Sequence, residues 1–252
     1  MLPFFESGYE VIGWGELVMI GVGLFFIYLG IAKKFEPLLL VGIGFGILLA
    51  NLPLGDMWSA AVPPFGEGIL QKIFSFGIAW ELIPCLIFLG LGAMTDFSPM
   101  IANPKTLILG AGAQFGVYLA FFIALLLGEG WLNIVPFGIK EACSIGIIGG
   151  ADGPTTIYLT AMMAPWILGP TAVAAYTYMA MVPIIQPPII KLLTTKEERQ
   201  IYMKPTLRPV SKREQLLFPI IAAIVIILLV PKSAPIIGML MFGNLLRVSG
   251  VT

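Results

Sequence analysis

The chain of 252 residues is 58 % hydrophobic and only 11 % charged, with a mean hydropathy of +0.98, a profile far outside that of soluble domains. Fourteen basic residues balance fourteen acidic ones, and nothing resembles the basic, aromatic-interleaved face of a nucleic-acid binder. Histidine is absent, and Cys85 and Cys143 lie in apolar stretches without metal-ligand spacing, so neither a zinc site nor a disulfide framework is expected, and a haem would lack its commonest ligand.

Several apolar windows reach the roughly 17–25 residues that a spanning helix needs, and strand-like alternation is absent. The expected class is an all-α polytopic membrane protein, one membrane domain over residues 1–252. Twenty prolines and twenty-nine glycines suit transmembrane helices that are broken or tightly packed. The first ten residues carry Glu6 and Glu10 but no basic region, so a cleaved signal peptide is not expected.

The first predicted span runs from Trp14 to Ala32 and ends at Lys33-Lys34, which place its end in the cytoplasm and the N-terminus outside. Pro37 to Leu54 forms a second, outward pass, with Gly42, Gly44 and Gly46 expected to let helices approach closely. Asp56 to Lys72, with Trp58, Pro63, Pro64, Phe65 and Glu67, reads as an outer loop with an interfacial helix. A third span, Ile73 to Thr95, contains Glu81 and Pro84 and leaves on the cytoplasmic side near Asp96 and Lys105. Glu81 is a second candidate buried acid, although Trp80 beside it equally marks an interface. A fourth span, Leu107 to Leu127, carries Gly110, Gly112 and Gly116 and emerges outside near Glu129 and Trp131.

Half of all basic residues, Lys191, Lys196, Arg199, Lys204, Arg208, Lys212 and Arg213, fall in one loop, which the positive-inside rule places in the cytoplasm. The apolar segment Thr171 to Ile190 therefore enters from outside, where the fourth span also ended. Parity requires the intervening chain, Ile134 to Gly169, to go in and come back or not to cross at all. The simplest solution is a re-entrant pair, Ile139 to Ile148 and Thr155 to Ala164, with a break at 149–154; a discontinuous helix passing straight through is the alternative. Pro183, Gln186, Pro187 and Pro188 are expected to unwind the end of the next span. Gln215 to Val230 makes an outward span closed by Pro231-Lys232, and Pro235 to Arg247 is too short to cross alone.

Between Ala142 and Ile190 there is one charged side chain in 49 residues, Asp152, within Gly149-Gly-Ala-Asp-Gly-Pro-Thr-Thr156. A carboxylate at membrane depth costs about 2.5–3.5 kcal/mol on insertion scales, which makes it a functional candidate. Breaking a helix there frees carbonyls on one side and amide N–H groups on the other, and transporters place cation sites at such breaks. Oxygen ligands for a hard cation are at hand: the Asp152 carboxylate, the hydroxyls of Ser144, Thr155 and Thr156, and carbonyls from 148 to 153, those of Gly150 and Gly153 adjoining. The plainer reading is that Asp152 caps a helix beginning at Gly153 or Pro154, with Pro154 at its first position. Capping and ion binding do not exclude one another. Tyr176 and Tyr178 on the next span either reach a cavity or form part of an interfacial belt. Gln186 and Asn244 either ligate an ion or satisfy free backbone groups, and for Asn244 the structural role is preferred.

The run Ser144-Ile-Gly-Ile-Ile-Gly-Gly-Ala-Asp-Gly-Pro-Thr155, with Ala174-Ala-Tyr-Thr-Tyr-Met-Ala180, Gln186-Pro-Pro188 and Leu193-Thr-Thr-Lys-Glu-Glu-Arg199, resembles the beta subunit of the sodium-pumping, biotin-dependent decarboxylases of oxaloacetate, glutaconyl-CoA and methylmalonyl-CoA. The resemblance implies a transporter-like bundle making up half or more of an inverted-repeat fold in the cell membrane. It implies a subunit that decarboxylates carboxybiotin presented by a biotin carrier/carboxyltransferase subunit, beside a small membrane subunit, in a homo-oligomeric complex. Sodium (Na+) is exported and an outside proton consumed, with Asp152 as the coupling carboxylate and Tyr178 matching a functional tyrosine. Members continue past the position of Thr252 with a second polar segment, Asn-Pro-Leu-Ile-Gly followed by Ser and Arg, so a C-terminally truncated chain is expected. On residues alone, an ion or solute antiporter without an enzyme partner, and a non-catalytic membrane anchor, stay open; the resemblance favours the decarboxylase subunit.

Overall fold

The structure is a computed structural model and describes residues 7–58, 67–130, 132–202 and 208–250; Pro63, Pro64, Phe65, Trp131 and Lys204 lie outside them. The described residues build thirteen α-helices in the order α1 (Gly8–Val11), α2 (Trp14–Ala32), α3 (Pro37–Asn51), α4 (Ile69–Ile73), α5 (Leu82–Met94), α6 (Ser98–Ala102), α7 (Leu109–Leu125), α8 (Ile139–Gly146), α9 (Gly153–Met163), α10 (Leu168–Leu193), α11 (Lys196–Gln200), α12 (Lys212–Leu229) and α13 (Ala234–Ser249). This is an all-α membrane protein. Trp14–Ala32, Pro104–Glu129 and Pro165–Leu193 are each long and apolar enough to cross a bilayer.

The chain forms two compact units, one from Met1–Trp80 with Val173–Arg199 and one from Glu81–Ala172 with Gln200–Thr252. In the first, α2 keeps its expected bounds and folds back on α3 through a turn in which Lys34 and Glu36 take left-handed φ of 56° and 40°. Their closest approach is at Gly23 and Gly44: a Cβ on Gly44 would lie 2.5 Å from the Gly23 carbonyl oxygen. Of the three glycines expected to pack, only Gly44 does; Gly42 and Gly46 face open space. They sit on other sides of the helix, where no partner approaches.

The predicted third span is not continuous. α4 runs into a π-helical stretch, Phe74–Ala79, and the helix breaks at Trp80-Glu81, where Glu81 has φ 62° and α5 begins. Pro84 is at the third position of α5, where a missing N–H costs nothing because the first turn has no acceptors for it. In the first unit, α10 stays helical through Pro183, Pro187 and Pro188 to Leu193, against the expectation that these prolines unwind it. Membrane helices carry proline when neighbouring groups or local adjustment re-satisfy the freed carbonyls.

In the second unit α13, sixteen residues long, lies along α5 with its backbone almost touching it at Gly92 and Gly243. Buried Asn244 donates from Nδ2 to the carbonyls of Gly92 at 3.3 Å and Thr95 at 2.9 Å, the structural role expected of it. Phe88 of α5, Tyr158 of α9 and Ile236 of α13 share a buried cluster, and the Tyr158 hydroxyl donates to the Lys232 carbonyl at 3.1 Å. Gly110 and Gly112 of α7 contact nothing, while Gly116 faces the hairpin described below.

A capping box starts α12: the Glu214 N–H donates to Ser211 Oγ at 3.3 Å and the Ser211 N–H to Glu214 Oε2 at 2.8 Å. Arg208 donates to the Glu214 carboxylate at 2.7 Å, and this bond, with those from Ser211, holds the carboxyl down at about 2 from an ordinary 4.5. A depressed pKa stabilises the folded form above the ordinary value and ceases to do so as pH falls through the folded one. Protection of the first-turn amides of α12, taken relative to their intrinsic exchange rate at each pH, is therefore expected to be full at neutral pH and to fall between about pH 4.5 and 2, with Glu214→Gln less protected throughout.

Candidate functional site: a broken hairpin capped by Asp152

α8 opens with its own clasp. The Gly138 N–H donates to Glu141 Oε2 at 3.0 Å, and Trp166 Nε1, just past the end of α9, donates to Glu141 Oε1 at 3.0 Å. The Phe137 and Trp166 rings lie 6.1 Å apart. The end of α9 thus returns to the start of α8, so α8 and α9 are the two arms of a hairpin and not a straight, interrupted helix.

The tip is made in three steps. After α8 the chain tightens into a 3-10 turn over Ile147–Gly150; Ala151 then takes the left-handed conformation at φ 53°, and Asp152 is extended at φ −125°, ψ 100° as the N-cap of α9. The double glycine is not what supplies the left-handed residue. Gly149 is needed for packing instead, because a Cβ there would lie 3.0 Å from the Gly116 carbonyl carbon and the Val117 nitrogen of α7. Gly146 is similarly pressed against α7: a Cβ on it would lie 2.9 Å from the Phe121 Cβ. A left-handed alanine costs roughly 1–2 kcal/mol, which the packing of the arms on α7 must offset.

Asp152 accepts the Thr155 N–H on Oδ1 at 3.2 Å and the Thr155 hydroxyl on Oδ2 at 2.6 Å. The cap reading is therefore realised, with Gly153 at the first position of α9 and Pro154 at the second, one later than expected. An ionised carboxylate has about four lone-pair directions, and the cap uses two. The remaining pair, on a half-buried side chain, is available to a cation. Fully buried Thr156 donates its hydroxyl to the Asp152 carbonyl at 2.8 Å, which leaves its oxygen lone pairs free. Gly153 is buried and Gly150 exposed at the tip.

The tip thus brings together Asp152, Gly150, Gly153, Thr155 and Thr156. Ser144, fully buried, lies two residues before the end of α8 and donates to the Lys140 carbonyl at 3.0 Å. Tyr176 and Tyr178 belong to the other unit, on α10; Tyr176 is half-buried, and Tyr178 is 37 % exposed. Three features escaped the sequence reading. The Glu141 cap has a signal, a glutamate three residues after Gly138 before an apolar run. The Trp166 clasp has none, and neither does Thr160, whose buried hydroxyl meets no partner among the described residues.

The family model for the Na+-transporting oxaloacetate decarboxylase beta subunit matches residues 15–252. The chain is 53 % identical over 247 residues to the methylmalonyl-CoA decarboxylase subunit beta of Veillonella parvula, covering 98 % of this chain and 61 % of that protein. It is 53 % identical over 245 residues to the glutaconyl-CoA decarboxylase subunit beta of Acidaminococcus fermentans, covering 97 % and 61 %. With the oxaloacetate decarboxylase beta chain of Klebsiella pneumoniae it shares 44 % identity over 289 residues, covering 95 % and 66 %. The chain spans about six tenths of the length of these relatives. A match over nearly the whole chain, including the Asp152 hairpin, places it: the chain belongs to the family of Na+-transporting oxaloacetate decarboxylase beta subunits.

Proposed function

We propose that this chain is the sodium-translocating membrane subunit of a biotin-dependent decarboxylase complex, coupling decarboxylation of carboxybiotin to sodium export across the cell membrane with consumption of an outside proton. The observation that carries the reading is the Asp152 cap: a carboxylate held by Thr155, with lone pairs to spare, at the tip of a hairpin otherwise free of charge from Ala142 onward. Ionised, Asp152 ligates sodium together with Thr155, Thr156 and the carbonyls of Gly150 and Gly153. Protonated, it holds neither the charge nor the ligand that sodium needs, so proton uptake releases the ion. Ser144 supports the inner part of the path, and Tyr178 is the functional tyrosine that the family resemblance points to, with Tyr176 beside it on α10 as a further oxygen donor.

Carboxybiotin arrives on a biotin carrier/carboxyltransferase subunit from the cytoplasmic side, against the basic 191–214 segment, with the N-terminus of this chain outside. A small membrane subunit and further copies of this chain complete the assembly. Proteoliposomes carrying the complete complex are expected to accumulate 22Na+ when one of oxaloacetate, glutaconyl-CoA or methylmalonyl-CoA is supplied, and the acid that works identifies the substrate. Decarboxylation of any of them without sodium movement would overturn the proposal.

A further inference from the structure

Among the described residues, four serine and threonine side chains are buried in the second unit: Ser144, Thr156, Thr160 and Thr171. Three donate to the carbonyl four residues back in their own helix, Ser144 to Lys140 at 3.0 Å, Thr156 to Asp152 at 2.8 Å and Thr171 to Ile167 at 2.8 Å. Thr160 departs from this pattern: its side chain is 0 % exposed, and among the described residues its Oγ1 meets no partner. A helix offers every interior threonine its i−4 carbonyl, so Thr160 has a local bond open to it and does not use it. Leaving a buried hydroxyl unpaired is destabilising, and valine, nearly the same shape, would avoid that cost.

Position narrows what the hydroxyl is for. Asp152, Thr156 and Thr160 recur at intervals of four, which sets their oxygens in one row along α9, about 6 Å of rise apart. The head of that row is an acceptor-rich carboxylate, so an anion is disfavoured along it. A small hard cation that takes oxygen ligands suits every member. We propose that Thr160 Oγ1 is a second, weaker sodium ligand, a station on the ion's path one turn beyond Thr156. The proposal rests on the assignment of Asp152 as the sodium carboxylate.

The complete complex carrying Thr160→Val, Thr160→Ser or Asp152→Asn tests it, with turnover followed against sodium concentration and unfolding temperature measured on the same preparations. Thr160→Val is expected to raise the half-saturating sodium concentration about tenfold, and Thr160→Ser, which keeps the oxygen, to stay within about twofold of the parent. Should Thr160→Val fail to assemble, Thr160→Cys, with a soft sulfur that a hard cation avoids, is expected to show the same rise. An unchanged half-saturation in the valine or cysteine variant, with a raised unfolding temperature for valine, would reduce Thr160 to an unsatisfied core hydroxyl and overturn the station. Unchanged sodium dependence in Asp152→Asn would instead remove the assignment beneath it. Loss of coupling in Asp152→Asn beside an unshifted Thr160→Val removes the station alone.

Discussion

Asp152→Asn is expected to fold as the parent does and to lose sodium-coupled turnover by about a thousandfold at any given sub-saturating sodium concentration. The two halves of that expectation have separate physical sources. Asparagine caps helices about as well as aspartate, and its side-chain oxygen can still accept the Thr155 N–H that Asp152 Oδ1 accepts at 3.2 Å, so α9 keeps its start. What disappears is the charge. At an effective dielectric of about 20, a unit charge attracts a cation 4 Å away by on the order of 4 kcal/mol, and each 1.4 kcal/mol is a factor of ten. Asparagine also takes up no proton, so any pH dependence of sodium release should vanish with it. Asp152→Ala removes cap and charge together and is expected to cost about 1 kcal/mol of stability as well. Unfolding temperature, sodium half-saturation and pH profile, measured on the three proteins, separate the roles. Sodium-dependent turnover by the asparagine variant at the parent's half-saturation would return Asp152 to a cap and nothing more.

Segment length and charge placement were legible in the sequence because both depend on the bilayer, which is the same for every helix. α2 has its predicted bounds, α12 closes at Leu229 before Pro231, and parity of the basic loops made a fold-back the simplest reading of the segment whose ends the Glu141–Trp166 clasp brings together. Asp152 was legible because a lone charge in 49 residues is costly wherever it lies. What depends on a specific partner was not legible. A glycine is read as a packing residue only once a neighbour is known: Gly44, Gly149 and Gly92 are pressed by other backbones, whereas Gly42, Gly46, Gly110 and Gly112 meet nothing. The left-handed residue fell on Ala151 rather than on Gly149 or Gly150; Gly149 serves the approach to α7, while a Cβ on Gly150 would meet only Val117, at an ordinary 3.8 Å. The break at Trp80-Glu81 has no Gly-Pro punctuation of its own, and the only hint is Pro84 three residues into the new helix.

The hairpin does not hold its position unaided. α9 is anchored in its own unit through Tyr158, which packs with Phe88 and Ile236 and donates to the Lys232 carbonyl. The α5 and α13 helices that present those groups are themselves held by their close crossing. Disturbing that crossing should therefore reach the site through packing, without touching any proposed sodium ligand.

Gly92→Ala is the sharpest way to disturb it. A Cβ on Gly92 would run into the Leu240 carbonyl oxygen, and one on Gly243 into the Leu89 carbonyl oxygen. Both obstacles are backbone, so no side-chain rotation relieves them and the helices must separate. Separation stretches the Asn244 bonds to the Gly92 and Thr95 carbonyls, which leaves a buried amide short of partners. Overpacking alone typically costs 1–3 kcal/mol, and with the weakened Asn244 bonds added a loss on the order of 3 kcal/mol or more is expected for either glycine. Gly90 lies on the same helix and has nothing within 4 Å of its would-be Cβ. Gly90→Ala is therefore expected to be neutral or to stabilise by up to about 1 kcal/mol, since alanine is the better helix former. Unfolding of the purified variants in detergent measures all three. Opposite signs for Gly92→Ala and Gly90→Ala, two residues apart on one helix, would be the mark of a backbone crossing; equal, small effects would mean that α5 and α13 do not meet as described, and that α9 takes its position from something else.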